Sequence, residues 1–241
     1  GRAAIEGIVA HPELELVGCW VHSDDKVGRD VGELCGMEPL GVKATNDVDA
    51  LMNMAADCVM YSPIMGNTEE VARILASGKN VATPLNWFYP GKRDVSLLEK
   101  SCLAGRSTLH GTGIHPGGIT ERFPLMISAL SSVITHVRAE EFSDIRTYNA
   151  PAVISDSMLF GKTPEEAAAS PMVGFLGQGF GQSMDMVAAE MGFDVDSEMI
   201  SAHDVAVATA PIDSPIGVIQ PGLVAAQRFT WQHTVRGEPV I

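Results

Sequence analysis

The stretch Asp57-Cys58-Val59-Met60-Tyr61-Ser62-Pro63, followed by Asn67-Thr68-Glu69-Glu70 and then by Asn80-Val81-Ala82-Thr83, decides the fold. The first run is short and apolar and stops at Ser-Pro, as a buried strand does. Asn67 supplies a helix cap, and Glu69 and Glu70 place negative charge in a first turn. The helix this predicts runs to Ala76, and Gly78 stops it. A second strand follows at Asn80–Thr83. Strand, helix and strand in this order form a crossover unit whose strands run parallel.

The same alternation extends in both directions. Residues 3–10 read as helix, 14–21 as a buried strand, 27–34 as a short helix, 42–45 as a short strand and 47–53 as a helix with Asp47 in its first turn. Downstream, 96–104 read as helix and 107–111 as strand. This pattern predicts a parallel sheet with helices on both faces. Past His115-Pro116-Gly117-Gly118 the character changes. Residues 119–130 look helical despite Pro124, and 134–145 alternate like a long strand. Residues 164–169 and 175–191 read as helices, while 203–210, 217–220 and 225–235 read as strands of an antiparallel sheet. The expected fold class is α/β, with a dinucleotide-binding domain at 1–115 and a second, α+β domain at 116–241.

Composition narrows the function. The 241 residues carry 16 Lys+Arg against 30 Asp+Glu, a net charge of −14. That balance argues against nucleic acid or an anionic membrane as partner, since both are held by clustered cations. With 46% hydrophobic and 19% charged residues the chain can build a sizeable core. No apolar run reaches the roughly 18 residues that span a bilayer, and no basic start with an apolar stretch marks a signal peptide. Cys19, Cys35, Cys58 and Cys102 form no C-x-x-C pair and no zinc spacing, so they read as reduced thiols of a cytoplasmic protein without a metal site. The chain opens on Gly1-Arg2-Ala3-Ala4-Ile5 without Met and closes on Gly237-Glu238-Pro239-Val240-Ile241, like a strand interrupted. Both ends read as cut.

Several groups could carry chemistry. A helix opening at Gly1 and a strand ending near Val21 have the spacing of the second half of a Rossmann unit. Gly1 would be the third glycine of its fingerprint; the first strand and the rest of the Gly-rich loop are missing. After that strand come His22-Ser23-Asp24-Asp25-Lys26. Ser23 could donate to a ribose 2′-phosphate and Lys26 or Arg29 could neutralise it, while Asp24 could accept from a 2′-hydroxyl. NADP and NAD both stay open. Tyr61-Ser62-Pro63-Ile64 and Thr83-Pro84-Leu85-Asn86 follow strands at the edge where open α/β sheets bind ligands, although ordinary loops carry the same residues. Gly111-Thr112-Gly113-Ile114-His115-Pro116-Gly117-Gly118 holds four glycines and a proline, which suggests backbone close to a small molecule. His115 is either an acid/base there or a structural histidine in a hinge. In Glu140-Glu141-Phe142-Ser143-Asp144 one carboxylate could hold a cationic amine or iminium, though most such runs are solvated. His22, His110, His136, His203 and His233 carry no spacing signal.

Taken together, the run from Gly1-Arg2-Ala3-Ala4 to His11-Pro12-Glu13-Leu14-Glu15-Leu16-Val17-Gly18, then Lys26-Val27-Gly28-Arg29-Asp30-Val31-Gly32-Glu33-Leu34, resembles the dihydrodipicolinate reductase-like family. More narrowly it resembles the branch of 2,4-diaminopentanoate dehydrogenases and native amine dehydrogenases. Gly78-Lys79-Asn80-Val81 and the glycine-rich turn at 111–117 fit the same branch. The resemblance implies an NAD(P)H-dependent oxidoreductase that moves a hydride to or from a C=N, or a C=O, substrate. It also implies a homodimer or higher homo-oligomer when full length. On this reading Gly1, Ser23, Tyr61, Ser62, Thr83 and Gly113 bind cofactor. His115, Asn86 and Tyr89 orient the substrate or supply a proton, and Trp87 and Phe88 wall the pocket. The chain also departs from the branch. Amine-forming members carry an acidic residue between the strand matching Val81–Thr83 and a Tyr-Pro pair, but Pro84-Leu85-Asn86-Trp87-Phe88-Tyr89-Pro90 has none. Their Asn-Pro-Gly turn is His115-Pro116-Gly117 here, and the His-rich signature of true dihydrodipicolinate reductases is absent. These departures point away from lysine-pathway activity and leave an NAD(P)-binding sensor or inactive relative as the alternative.

Overall fold

The structure, a computed structural model, describes residues 1–63, 65–91 and 93–241. Ile64, expected in the turn after the Tyr61 strand, lies outside them. The chain divides into two compact units, Gly1–Asn86 with Lys92–Thr112, and Trp87–Gly91 with Gly113–Ile241. The fold class is α/β, as expected.

In the first unit, β1 (Cys19–Trp20) pairs in parallel with β2 (Ala44–Thr45). β3 (Cys58–Met60), β4 (Asn80–Thr83) and β5 (Leu109–Gly111) form a parallel sheet with β4 in the middle, Val81 lying opposite both Val59 and Leu109. The helices are α1 (Arg2–Ala10), α2 (Val31–Cys35), α3 (Val48–Asn53), α4 (Thr68–Ala76) and α5 (Ser96–Gly105). The α4 start forms for the reason its sequence gives: Asn67 Oδ1 accepts the N–H groups of Glu69 and Glu70 at 2.9 and 3.1 Å. Its inner face buries Val71, Ile74 and Leu75 with Val81 and Leu98. Burying each of these aliphatic side chains contributes about 1.5–3 kcal/mol.

Two buried charges pin the connections. Asp30 caps α2 and accepts three N–H groups, from Leu40 at 2.8 Å and from Gly32 and Gly41 at 2.9 Å. The Leu40 amide, ahead of burial, which opposes it, and of the other two amides, holds the carboxyl below its ordinary range. Lys79 is 7% exposed and its Nζ donates to Met52 O at 2.7 Å, one residue before the end of α3. A cation at the negative end of a helix is stabilising. Lys79→Met keeps the stem and removes the charge. It is expected to lower unfolding free energy by about 1.5–3 kcal/mol in urea titration; an unchanged midpoint would show the contact to be idle.

The second unit contains α6 (Arg122–Ser128), α7 (Pro164–Ala168) and the long α8 (Met172–Met191). Its strands are antiparallel throughout: β6 (Ile200–Val207) with β9 (Val224–Gln232), β7 (Ile212–Ser214) with β8 (Gly217–Ile219), and β10 (Thr234–Val235) with β11 (Glu238–Pro239). A capping box starts α7, Thr163 and Glu166 each accepting the other's backbone N–H. Ile154, Phe160, Ala208 and Ile219 form one core cluster, and Leu159, Ala167 and Val224 another.

The structure corrects several expected elements. The strand expected at 14–21 is paired only at Cys19–Trp20: in the parallel register 14–18 would lie opposite residues before Ala44, and there Leu40, Gly41 and Val42 are engaged with Asp30 and Val31 instead. The helix expected at 27–34 is delayed to Val31 because Gly28 takes a left-handed φ of 78° and Asp30 is the cap. The helix expected at 119–130 begins at Arg122 because Glu121 is engaged in the turn before it. Pro124 is tolerated there, in a first turn whose N–H groups lack helical partners. Residues 134–145 form no strand among the described residues. Val137 N–H reaches Val240 O at 2.8 Å, but no ladder continues from it.

Candidate functional site

The residues singled out by sequence fall in both units. In the first, Gly1 caps α1 and its carbonyl accepts from Ala4 and Ile5 at 3.1 Å. Ser23 and Ser62 are half-buried and lie just past β1 and β3. Asp24 is held by Asn46 Nδ2 at 2.8 Å. Tyr61 is spent locally: its hydroxyl donates to Glu70 Oε2 and accepts from Asn67 N–H at 3.1 Å. Burial first, and the Glu70 bond second, push this phenol up to about 12. Thr83 is fully buried, its hydroxyl accepts Leu85 N–H at 3.2 Å, and its carbonyl accepts Thr112 N–H at 2.8 Å. Tyr61 and Thr83 therefore shape the strand ends from inside, while Ser23 and Ser62 follow β1 and β3 in the chain and are half-buried. Asn86 also belongs to this unit.

In the second unit the glycine-rich turn is tightly built. A Cβ at Gly113 would lie 2.5 Å from Pro116 O, and one at Gly118 would lie 2.9 Å from Gly113 O. Only glycine fits either place. The carboxylate of Glu121, 2% exposed, accepts Gly117 N–H at 3.3 Å and the Thr120 hydroxyl at 2.8 Å. This anchor was not visible in the sequence. The turn presents His115, whose Nε2 lies 3.4 Å from Glu141 Oε2 and whose ring meets Phe180 edge-on at 4.7 Å. Its Nδ1 is buried and has no hydrogen-bond partner among the described residues.

Helix α8 organises what surrounds this imidazole. Phe180 stacks on Trp231 at 4.4 Å, Trp231 lies 5.8 Å from Phe229, and Phe229 stacks on His203 at 4.4 Å. Residues 229 and 231 share one face of β9, and His203 lies directly opposite Phe229 on β6. Gly177 makes room for this row, since a Cβ there would lie 2.8 Å from Trp231 Nε1. Tyr89 reaches the same helix through its N–H, 3.5 Å from Gln182 Oε1. Phe88 lies near Gly113 and Gly179, and Trp87 holds a left-handed φ of 59° that bulky residues rarely adopt. The structure thus brings Tyr89, Gly113 and His115 together around α8. A separate open cavity of about 520 Å³, lined by Asp156, Phe160, Lys162 and Ile216 among others, is touched by none of the residues expected from sequence.

The four cysteines are free thiols, and no cluster of ligands that could hold a metal exists among the described residues. None of the described helices is long and apolar enough to cross a membrane.

No family model matches the chain. An amine dehydrogenase of Streptomyces virginiae is 29% identical over 253 aligned positions, covering all of this chain and 70% of that protein. A 4-hydroxy-tetrahydrodipicolinate reductase of Synechococcus elongatus is 39% identical over 56 residues, covering 23% of this chain and 20% of the reductase. The structure of an amine dehydrogenase from Mycobacterium smegmatis superimposes with a TM-score of 0.77 at 20% identity, over 96% of this chain and 71% of that one. The fold is therefore shared with a solved amine dehydrogenase. In sequence the chain is similar along its whole length to an amine dehydrogenase, and over a short stretch to 4-hydroxy-tetrahydrodipicolinate reductases.

Proposed function

We propose that the protein containing this chain is an NAD(P)-dependent oxidoreductase acting on a C=N bond, and that His115 handles the substrate proton. The observation that carries this reading is the likeness of the whole chain to an amine dehydrogenase, joined to an imidazole held between a carboxylate and an aromatic ring. The first unit fits a dinucleotide in kind. Past its parallel strands stand the half-buried hydroxyls of Ser23 and Ser62, with exposed Lys26 and Arg29 near the first. Ser23, Asp24 and Lys26 would meet the adenosine ribose, Ser62 the later part of the cofactor, and either NAD or NADP is accommodated. The nicotinamide supplies or takes the hydride when bound.

The chain's own part is orientation and proton transfer. An iminium that gains a hydride at carbon becomes a neutral amine, which then takes up one proton. Protonated His115 can supply that proton, and in the reverse direction the neutral imidazole can remove it from the ammonium. The test is a panel of ketones and aldehydes with ammonia, followed by the loss of NADPH or NADH absorbance in the full-length protein. Ammonia-dependent turnover is expected. Turnover without ammonia would move the acceptor to C=O, and cofactor binding without any turnover would favour a sensor.

A further inference from the structure

We infer that the open cavity between residues 151–162 and the β7–β8 turn is a binding site for a small zwitterion of the α-amino-acid kind: Lys162 takes the carboxylate, Asp156 takes the ammonium, and Pro215 and Ile216 take an apolar side chain. No step of the proposed hydride transfer enters this binding, and none of these residues belongs to the site around His115.

The cavity is built from three pieces of the second unit. Val153–Ser157 form a turn of π-helix, closed by Met158 N–H on Val153 O at 2.8 Å. Such a turn holds one residue more than an α-helical one, which widens it, and it recurs at functional sites. Here it sets Ser155 and Asp156 on the cavity wall. The chain then reverses through Leu159 and Gly161, which take left-handed φ values of 63° and 76°. A Cβ at Gly161 would lie 3.0 Å from Ile216 Cδ1, so the reversal packs closely on the β7–β8 turn. Gly161 N–H donates to Val224 O and Lys162 O accepts from Val224 N–H, both at 2.9 Å, which fixes the Lys162 backbone to β9. Phe160 belongs to a core cluster against which Ile216 packs, so the apolar walls rest on ordered side chains. The space enclosed, about 520 Å³, suits a small molecule.

Its charges select the ligand. Asp156 and Lys162 line the same cavity but form no ion pair with each other. Lys162 is half-buried, and its ammonium has no hydrogen-bond or ion-pair partner among the described residues. Glu166, one helical turn further on, is engaged instead by Thr163 N–H at 2.8 Å in the capping box of α7. Asp156 is exposed; its Oδ1 accepts the Ser155 hydroxyl at 2.8 Å, and its Oδ2 has no partner among the described residues. A ligand with one charge would satisfy one of these groups and meet the other as a like charge. A zwitterion satisfies both, through charge-assisted hydrogen bonds of opposite sense. The half-buried Pro215 and Ile216 leave apolar surface for the rest of it.

The experiment measures binding to the full-length protein by calorimetry, without cofactor and near pH 7, where every probe carries its charges. The probes are leucine, isocaproate, which is leucine without its ammonium, and isopentylamine, which is leucine without its carboxylate. Leucine is expected to bind roughly tenfold tighter than either analogue. Lys162→Met should weaken leucine and isocaproate roughly tenfold and leave isopentylamine unchanged. Asp156→Asn should do the converse, weakening leucine and isopentylamine and sparing isocaproate. The analogue that each variant still binds shows that the variant is folded. His115→Ala should leave leucine affinity unchanged. The site is overturned by the absence of saturable leucine binding, by equal affinity for all three probes, by a leucine affinity within about twofold of wild type in either charge variant, or by loss of leucine binding in His115→Ala. Leucine binding that depends on Lys162 and Asp156 in a protein that fails to bind NADPH or NADH would overturn the oxidoreductase reading alone. Normal cofactor turnover with a leucine affinity indifferent to both substitutions would overturn the site alone.

Discussion

Replacing His115 by alanine is expected to lower turnover by about 10²–10⁴-fold, the range for loss of a positioned acid/base group. Cofactor affinity should stay at the wild-type value, since the residues expected to bind the dinucleotide lie mainly in the other unit. The pH profile carries the sign. Burial holds the imidazole below the usual value of about 6.5, with Glu141 and Glu121 pushing the other way. In the reductive direction the protonated form is needed, so kcat should fall as pH rises through this lowered pKa. In the oxidative direction the neutral form is needed, and kcat should rise through the same point. Both limbs should vanish in His115→Ala. A variant that loses activity but keeps the limbs would assign His115 to structure alone.

Gly105→Ala should be the most damaging single methyl in the first unit. A Cβ at Gly105 would lie 1.8 Å from Leu75 O, 2.9 Å from Leu75 C and 3.0 Å from Gly78 N. All three are backbone atoms, so no side chain can swing aside. The end of α5 here touches the end of α4, and Ser107 Oγ donates to the same Leu75 carbonyl at 2.8 Å. Relief would require the two helices to separate and uncover Leu75 and Val81, which are 0% and 1% exposed. The expected loss is about 3 kcal/mol, at the upper end for overpacking, read as a lower urea midpoint. Gly1→Ala, with no atom near its Cβ, serves as the control and should differ little. Equal midpoints for the two variants would contradict this packing.

The parts of the fold legible in the sequence were those fixed locally. The α4 cap needs only Asn67 and the two residues after it, and its stop needs only Gly78. The helix expected at 164–169 likewise starts from a local device, the Thr163–Glu166 capping box that the structure shows. What failed depended on distant partners. Residues 14–18 have the composition of a strand, but only Cys19 and Trp20 find β2 beside them. Residues 134–145 alternate correctly, yet among the described residues no strand lies along them.

The site divides in the same way. The glycines and His115 drew attention because their types are unusual in one short run. Glu141 was visible as one of two adjacent carboxylates, but nothing local said which would meet an imidazole. Tyr61 stood at the right strand end, and the structure turns its hydroxyl to Glu70 instead. Phe180, Trp231 and Glu121 went unread. The alternation of Phe229 and Trp231 was the available signal for a shared ring face, and the register that places His203 opposite Phe229 is set by β6 and β9 pairing across the intervening β7–β8 hairpin.

The most direct test of the central claim follows the hydride itself. The full-length protein would be supplied with a carbonyl compound, ammonia and a reduced cofactor deuterated at the transferable position of its nicotinamide, and the product analysed by mass spectrometry. The account predicts an amine carrying one deuterium on the carbon that was doubly bonded to nitrogen. Oxidised cofactor with no deuterium in the amine, or no amine across the whole carbonyl panel, would contradict it.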